Sequence, residues 1–112
     1  MGGYPPPSQP IFPYEPSPLA VFGHVTVNRS RRQVFVKGEP VHLTDMEYRL
    51  LEVFLDNPDQ ALSREKLLFL VWGYTVRGDT RTVDVHVKQL RKKLSFQNRI
   101  RTVYRVGYCF LS

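Results

Sequence analysis

The sequence has little cysteine, no long apolar run and fewer acidic than basic residues. Its single cysteine, Cys109, excludes an internal disulfide and a cysteine-rich zinc site; it fits a reducing cytoplasm, although a secreted protein could also carry it. The longest apolar run covers residues 67–72, far short of the roughly 20 residues that cross a bilayer. We therefore expect a cytoplasmic protein with no transmembrane segment, no signal peptide and no membrane partner.

Basic residues outnumber acidic residues by 16 to 10, which gives a net charge of +6 at pH 7 and a sequence pI near 9.8. The excess lies near the end of the chain: residues 1–43 carry +2, residues 44–73 carry −3, and residues 74–112 carry +7. Such a segment favours a polyanionic partner, with nucleic acid ahead of a membrane surface. We expect the acidic middle segment to face away from phosphates or to contact protein.

Proline content divides the chain into two parts. Residues 1–18 contain seven of the nine prolines, which fix backbone angles and remove amide donors. We interpret this stretch as a linker or disordered tail, with a semi-rigid spacer or a ligand for a proline-binding module as the alternative. Residues 19–112 then suffice for one compact domain.

Short strands are predicted in the first half of this domain. Apolar and polar residues alternate from Val21 to Val27, and residues 28–30 supply turn formers. Two further strand-like stretches, QVFVKG and EPVHL, are split at Lys37 and Gly38. The pattern predicts two or three short antiparallel strands.

Two helices are predicted next. Thr44 and Glu47 have the spacing of a capping box, in which the hydroxyl and the carboxylate satisfy free amides of the first turn, and Pro58 ends this helix. Ser63 is the expected N-cap of a second, largely apolar helix that runs to Trp72 and stops at Gly73.

The third predicted helix covers residues 80–94, with Asp79 or Thr80 as its cap. Its buried face is a stripe at helical spacing: Val83, Val87, Leu90 and Leu94. Its opposite face carries cations, one valine and one glutamine, with Thr82 at the edge: Arg81, Val85, Lys88, Gln89 and Lys92. Residues 100–103 and 107–111 flank residues 104–106 and predict a closing hairpin.

The outward face of the third helix suits double-stranded DNA. After Asp84 the helix has no acidic residue, whereas ordinary solvated helices intersperse the two signs. An exposed Val85 methyl can meet a thymine methyl, and the Gln89 amide can bond adenine in two places. The alternative is a solvated helix surface, which a run of charge alone would favour.

Several stretches resemble one family. REKLLFLVWG (64–73), DTRTVDVHVKQLRKKL (79–94) and TVYRVGYCF (102–110) closely resemble the C-terminal effector domain of OmpR/PhoB-type bacterial response regulators, and LTDMEYRLLEVF (43–54) fits the same pattern. The resemblance covers residues 19–112. It implies an α+β fold, a winged helix-turn-helix with an N-terminal four-stranded antiparallel sheet, three helices and a C-terminal β-hairpin wing.

The resemblance also implies a function in two-component phosphorelays: transcription regulation by sequence-specific binding of double-stranded DNA. The third helix would enter the major groove and the wing an adjacent minor groove. Members of the family usually bind direct-repeat half-sites in tandem, which implies a tandem dimer. The loop between the second and third helices is the segment that would contact RNA polymerase: Gly73, Tyr74, Thr75, Val76, Arg77 and Gly78.

The helix face and the resemblance together give the candidate DNA-binding residues: Trp72, Arg81, Thr82, Val85, His86, Lys88, Gln89, Arg91, Lys92, Thr102, Arg105 and Tyr108. By resemblance, the indole N–H of Trp72 would reach a phosphate. Arg81, His86 and Arg91 match positions that meet phosphate or flank the helix in the groove. Thr102 and Tyr108 match wing residues that contact the DNA backbone.

Three features depart from the family pattern. Gln89 stands where arginine is frequent, which suggests an adenine preference or weaker direct readout at one step. Tyr104 and Arg105 stand where the wing usually has Arg-Gly, so the turn lacks the glycine that accepts positive φ, and whether Arg105 enters the minor groove stays open. No phospho-acceptor receiver domain fits in 112 residues, so either one belongs to a longer protein or the protein lacks one.

Other functions have less support in the sequence. His24, His42 and His86 lie on different elements without metal-ligand spacing, and Cys109 has no local base, so we expect no enzyme, no metal and no cofactor. One alternative is a winged-helix protein-interaction module that contacts RNA polymerase or another regulator with little DNA specificity. Another is single-stranded RNA binding, for which Tyr104 and Tyr108 are the only stacking candidates near the basic region.

Overall fold

The computed structural model of the protein describes residues 19–73 and 79–112. The predicted proline-rich linker at 1–18 and residues 74–78 of the predicted polymerase-contact loop lie outside the described residues. Two antiparallel sheets and three α-helices make up the described part. None of the helices within it is long and apolar enough to cross a membrane.

The N-terminal sheet has four strands in chain order: β1 (Leu19–Phe22), β2 (Val25–Asn28), β3 (Gln33–Val36) and β4 (Glu39–Val41). The prediction of one strand from Val21 to Val27 is wrong, because Gly23 takes a φ of +61° and turns the chain into an antiparallel pair. The predicted break at Lys37 and Gly38 is confirmed, since both residues take positive φ in a two-residue turn. The four-stranded sheet implied by the resemblance is confirmed as well.

Helix α1 (Asp45–Asp56) begins with the predicted capping box. The hydroxyl of Thr44 accepts a hydrogen bond from the Glu47 amide at 3.2 Å, and the Glu47 carboxylate accepts one from the Thr44 amide at 2.9 Å. The helix ends at Asn57, directly before the predicted stop at Pro58. The reciprocal bonds satisfy two amides that helix geometry leaves without partners.

Helix α2 (Arg64–Trp72) also has its predicted ends. The Ser63 hydroxyl accepts from the Lys66 amide at 3.0 Å, and Gly73 closes the helix with a φ of +87°. The short strand β5 (Ala61–Ser63), which comes just before α2, was not predicted. Three residues are too few to show an alternating pattern, and β5 exists because it pairs with a strand about 45 residues later.

Helix α3 (Arg81–Leu94) starts one residue after the predicted position. Thr80 makes no side-chain capping bond; instead, the Asp79 carboxylate accepts from the Arg81 amide at 2.9 Å. The predicted buried stripe is confirmed, because all four of its members are at most 1% exposed: Val83, Val87, Leu90 and Leu94. This orientation turns the opposite side of α3 towards solvent.

The predicted hairpin is confirmed as β6 (Ile100–Val103) and β7 (Gly107–Phe110), which join β5 in a sheet of order β5-β7-β6. Gly107 is required here, since a Cβ on it would lie 2.1 Å from the carbonyl oxygen of Leu62. Phe110 anchors the hairpin in the core: its ring centroid lies 5.1 Å from that of Phe22 and 6.4 Å from that of Phe54. The base of the hairpin therefore packs against both the N-terminal sheet and α1.

Candidate nucleic-acid interface

The solvent-facing side of α3 has the predicted composition. Val85 is 56% exposed, Lys88 and Lys92 are exposed, and Gln89 is half-buried. Within residues 19–73 and 79–112, neither lysine forms an ion pair and the Gln89 amide has no hydrogen-bond partner. These groups can therefore accept an external partner without first breaking an internal contact.

Arg81 lies at the start of this face and is paired with Asp79. The guanidinium contacts both carboxylate oxygens of Asp79 at 2.9–3.1 Å, and this hydrogen bonding holds the pKa of the Asp79 carboxyl below its ordinary value. Both side chains are well exposed, 84% and 54%. Exposed ion pairs of this kind are weak, so a phosphate can replace Asp79 as the partner of Arg81.

Trp72, Thr82 and His86 form a half-buried group where α2 meets α3. Nδ1 of His86 lies 2.8 Å from the Thr82 carbonyl oxygen; because a carbonyl only accepts, Nδ1 carries the proton. The His86 and Trp72 rings meet edge to face, with centroids 4.9 Å apart. In the described part of the chain, the Trp72 indole N–H and His86 Nε2 have no hydrogen-bond partner, and both remain free for an external group.

Arg91, predicted near phosphate, is held by the wing. Its guanidinium donates to the Ile100 carbonyl oxygen at 2.7 and 2.9 Å and to the Thr102 hydroxyl at 2.9 Å. It also lies 5.3 Å from the centre of the Tyr108 ring. Thr102 itself is exposed. Arg91 thus joins α3 to β6 and β7 before any ligand is present.

Tyr108 lies beneath the surface and not on it. The residue is 5% exposed, and its hydroxyl donates to Asp84 at 2.5 Å. Burial, followed by the bond to Asp84, raises the pKa of the Tyr108 hydroxyl, so the group stays protonated and donates at neutral pH. Arg64 donates to the same Asp84 oxygen at 2.8 Å.

Arg64 and Asp84 also belong to this region, although neither was predicted from the sequence to be part of the site. One signal pointed to Asp84: it is the only acidic residue within the strongly basic α3. A single acid in a basic helix is a candidate for an ion pair, because nearby positive charge favours its ionised form. The partner in that ion pair, Arg64, lies on another helix and could not be found by helical spacing.

The wing turn places Arg105 at the outermost end of the hairpin. Arg105 takes a φ of +63°, the left-handed conformation that the missing glycine would accept without strain. Its guanidinium lies 5.2 Å from the centre of the Tyr104 ring, and Tyr104 is 79% exposed. The charge of Arg105 therefore stands in solvent at the end of the wing.

The acidic charges of α1 are paired elsewhere in the molecule. Asp45 binds Arg32 at 2.8 Å, Asp56 binds Arg29 at 2.8 Å, and Glu47 binds Lys93 at 2.7 Å. Lys93 of α3 is therefore neutralised by α1, whereas Lys88 and Lys92 form no ion pair with α1 within the described residues. No group of three or more metal-binding side chains occurs in the described ranges.

The sequence and the structure both match known proteins. The family model described as transcriptional regulatory protein, C terminal matches residues 38–110. The uncharacterized transcriptional regulatory protein YclJ of Bacillus subtilis is 51% identical over 88 residues, which cover 76% of this chain and 39% of YclJ. The chain thus spans about two fifths of the length of this relative.

Two solved structures give the same result. The response regulator DrrB of Thermotoga maritima, an OmpR/PhoB homologue, matches with a TM-score of 0.77 at 30% identity, over 85% of this chain and 45% of that one. The DNA-binding domain of RstA from Klebsiella pneumoniae, solved in complex with the RstA box, matches with a TM-score of 0.73 at 35% identity, over 83% of this chain and 96% of that one. The family comprises regulator domains and not enzymes. The chain belongs to the transcriptional regulatory protein C-terminal family, the winged-helix DNA-binding domains of OmpR/PhoB-type response regulators.

Proposed function

We propose that residues 19–112 act as one domain that binds double-stranded DNA sequence-specifically and regulates transcription. The observation that carries the proposal is the outward face of α3, where Lys88 and Lys92 share the surface with an exposed Val85 and with Gln89. Among the described residues, neither lysine has an ion-pair partner and the Gln89 amide has no hydrogen-bond partner. Cations position a protein on phosphates, whereas apolar and amide groups distinguish base edges. The complex of the similar RstA domain with the RstA box supports this assignment. A genomic ligand is also consistent with the cytoplasmic location expected from the sequence.

In this proposal, α3 lies in the major groove. Val85 contacts a thymine methyl, Gln89 bonds adenine, and Lys88 contacts an acceptor on a base edge. Lys92 and Arg81 bind phosphate, and Arg81 exchanges Asp79 for the phosphate oxygen. All of these side chains are exposed except that of Gln89, which is half-buried.

The remaining candidates flank the helix or belong to the wing. Trp72 and His86 lie at the groove edge, where the indole N–H donates to phosphate, and Thr82 supports His86 through its carbonyl group. Thr102 contacts the backbone, and Arg105 enters the minor groove, where narrow A·T-rich segments attract arginine. Because Arg91 and Tyr108 already have internal partners, we assign them to holding the wing.

Selection of bound duplexes from a random pool tests the proposal directly. We expect enrichment of one motif with an A·T step at the position of Gln89, and repeated half-sites if the protein binds as a tandem dimer. Competition at fixed salt with a scrambled duplex and with single-stranded RNA serves as the control. Equal affinity for the selected and scrambled duplexes would overturn the proposal, and tighter binding of RNA would favour the RNA alternative.

We further propose that the end of α2 contacts protein, with RNA polymerase as the partner. Phe69 and Leu70 are 39% and 40% exposed, and they lie four and three residues before Gly73, where the predicted contact loop begins. Adjacent exposed apolar side chains are typical of interaction surfaces. Leu70→Ala should lower transcription from a template carrying the selected operator while leaving its affinity for that operator unchanged. Unchanged transcription would contradict this assignment.

A further inference from the structure

Three elements, α2, α3 and β7, meet at one carboxylate oxygen of Asp84. Oδ1 of Asp84 on α3 accepts from Nε of Arg64 on α2 at 2.8 Å and from the Tyr108 hydroxyl on β7 at 2.5 Å. The Arg64 guanidinium also lies 5.7 Å from the centre of the Tyr108 ring. Both hydrogen bonds are charge-assisted, which makes them stronger and more directional than neutral ones.

A second link joins α3 to the wing through the same tyrosine ring. Arg91, seven residues after Asp84 and therefore on a nearby part of the α3 surface, contacts the Tyr108 ring and bonds Ile100 and Thr102 on β6. The ring of Tyr108 is thus contacted by two arginines, and its hydroxyl is fixed by Asp84. We call Arg64, Asp84, Arg91 and Tyr108 the wing clamp.

We propose that Asp84 and Tyr108 are positioning residues for DNA recognition, which fix the wing relative to α3 so that Arg105 enters the minor groove in phase with the major-groove contacts. The inference rests on the proposed DNA binding. The family resemblance implied that Tyr108 contacts the DNA backbone. Because Tyr108 is 5% exposed and its hydroxyl already donates to Asp84, this proposal has it act through Asp84 and the orientation of the hairpin.

The geometry explains why such a clamp is needed. The wing turn lacks a glycine, and Arg105 is held at a φ of +63°, so the turn itself is strained. The turn is joined to the rest of its sheet through β6 and β7, which have four residues each. Two polar links from α3 to the base of the hairpin restrict its tilt about an axis that runs across the strands, and such a tilt would displace Arg105 at the end of the hairpin.

The clamp predicts that Tyr108→Phe changes the relative affinity for two duplexes that differ only in the minor groove. The probe is the selected operator with either G·C or inosine·C pairs in its flanking segment. Inosine removes the guanine amino group from the minor groove and leaves the major-groove edge unchanged. For the unchanged protein we expect tighter binding of the inosine operator by about fivefold, and for Tyr108→Phe a ratio reduced by at least about threefold.

The ratio of the affinities for the inosine·C and G·C operators distinguishes a positioning effect from a loss of folding. A fraction of unfolded protein lowers the apparent affinity for both operators equally, so the ratio moves only if the wing contact changes. Tyr48→Phe is the matched control, because Tyr48 is as deeply buried as Tyr108, at 3% against 5% exposed, and lies on α1, where its hydroxyl has no contact with the wing clamp. Its ratio should equal that of the unchanged protein. Asp84→Asn, which removes the charge that both donors share, should reduce the ratio as Tyr108→Phe does.

A double variant tests whether Tyr108→Phe changes the affinity ratio through Arg105. Arg105→Ala alone should bring the ratio close to one, and adding Tyr108→Phe to it should change the ratio no further. If Tyr108→Phe keeps the ratio of the unchanged protein, the positioning role is refuted while the proposed function stands. If the unchanged protein prefers no duplex at all, the proposed function and this inference both fail.

Discussion

Replacing Lys93 by methionine tests whether an apparent surface charge is part of the folded core. Lys93 Nζ lies 2.7 Å from Oε1 of Glu47, whose side chain is only 5% exposed. Removing one partner of a fully buried ion pair costs about 3 to 5 kcal/mol. Because Lys93 is 30% exposed and Glu47 keeps its bond from the Thr44 amide, we expect a loss of about 2 kcal/mol at pH 7, or about 10 °C in Tm.

The loss of stability in Lys93→Met should depend on pH, because Lys93 affects the pKa of the Glu47 carboxyl. Burial alone would raise the pKa of the Glu47 carboxyl, but the hydrogen bonds from Lys93 and Thr44 bring it below its ordinary value. In the unchanged protein, Glu47 therefore contributes stability above the ordinary glutamate pKa, and this contribution is lost as the pH falls through the lowered value. Without Lys93, burial dominates and the carboxyl protonates at higher pH. The stability gap between the two proteins should therefore narrow on acidification.

Chemical denaturation from pH 7 to about pH 3.5 measures this gap, with Lys92→Met as the control. Lys92 is exposed and has no ion pair in the described part of the chain, so its replacement should change the free energy of unfolding by less than about 0.5 kcal/mol. A gap for Lys93→Met that is equally small at pH 7, or one that stays constant on acidification, would refute the reasoning.

Further predictions concern the interface. Gln89→Ala should cost about 1 to 3 kcal/mol on the selected operator and relax one base position; an unchanged motif in a repeated selection would contradict this role. Lys92→Ala should weaken all duplexes alike and flatten the plot of log K against log salt by about one, while Arg49→Ala, on α1, should leave the slope unchanged. Arg105→Gly should stabilise the domain by about 0.5 kcal/mol in thermal unfolding, because glycine accepts the φ of +63°, and should abolish the preference for inosine flanks.

Local rules predicted the elements that their own residues specify. The Thr44 capping box, the Ser63 N-cap and the buried stripe of α3 depend on residues three or four positions apart, and all three are confirmed. Gly23 was misassigned because alternation continues through it in the sequence. Strand β5 was missed because its only cause is pairing with β7, and the need for Gly107 arises from the distant carbonyl of Leu62.

The same distinction applies to the candidate interface. A rotation of 100° per residue identified which side chains of α3 face solvent, since the buried stripe fixes the helix orientation. It could not show which of the other cations already have partners. Lys93 pairs with Glu47, Arg99 donates to the Leu111 carbonyl, and Arg91 is held by the wing. Each contact joins residues that lie at least nine positions apart.

These internal contacts change what the positive charge of residues 74–112 means for DNA binding. Counterion release depends on the cations that reach phosphate and not on net charge. Lys93 has an anionic partner, and Arg91 has its donors directed at the hairpin, so neither should contribute fully to the salt dependence. The measured slope should therefore correspond to fewer phosphate contacts than the sequence contains cations in this segment. Lys88 and Lys92 are expected to provide a larger share of it than their number suggests, because they have no ion-pair partner to exchange among the described residues.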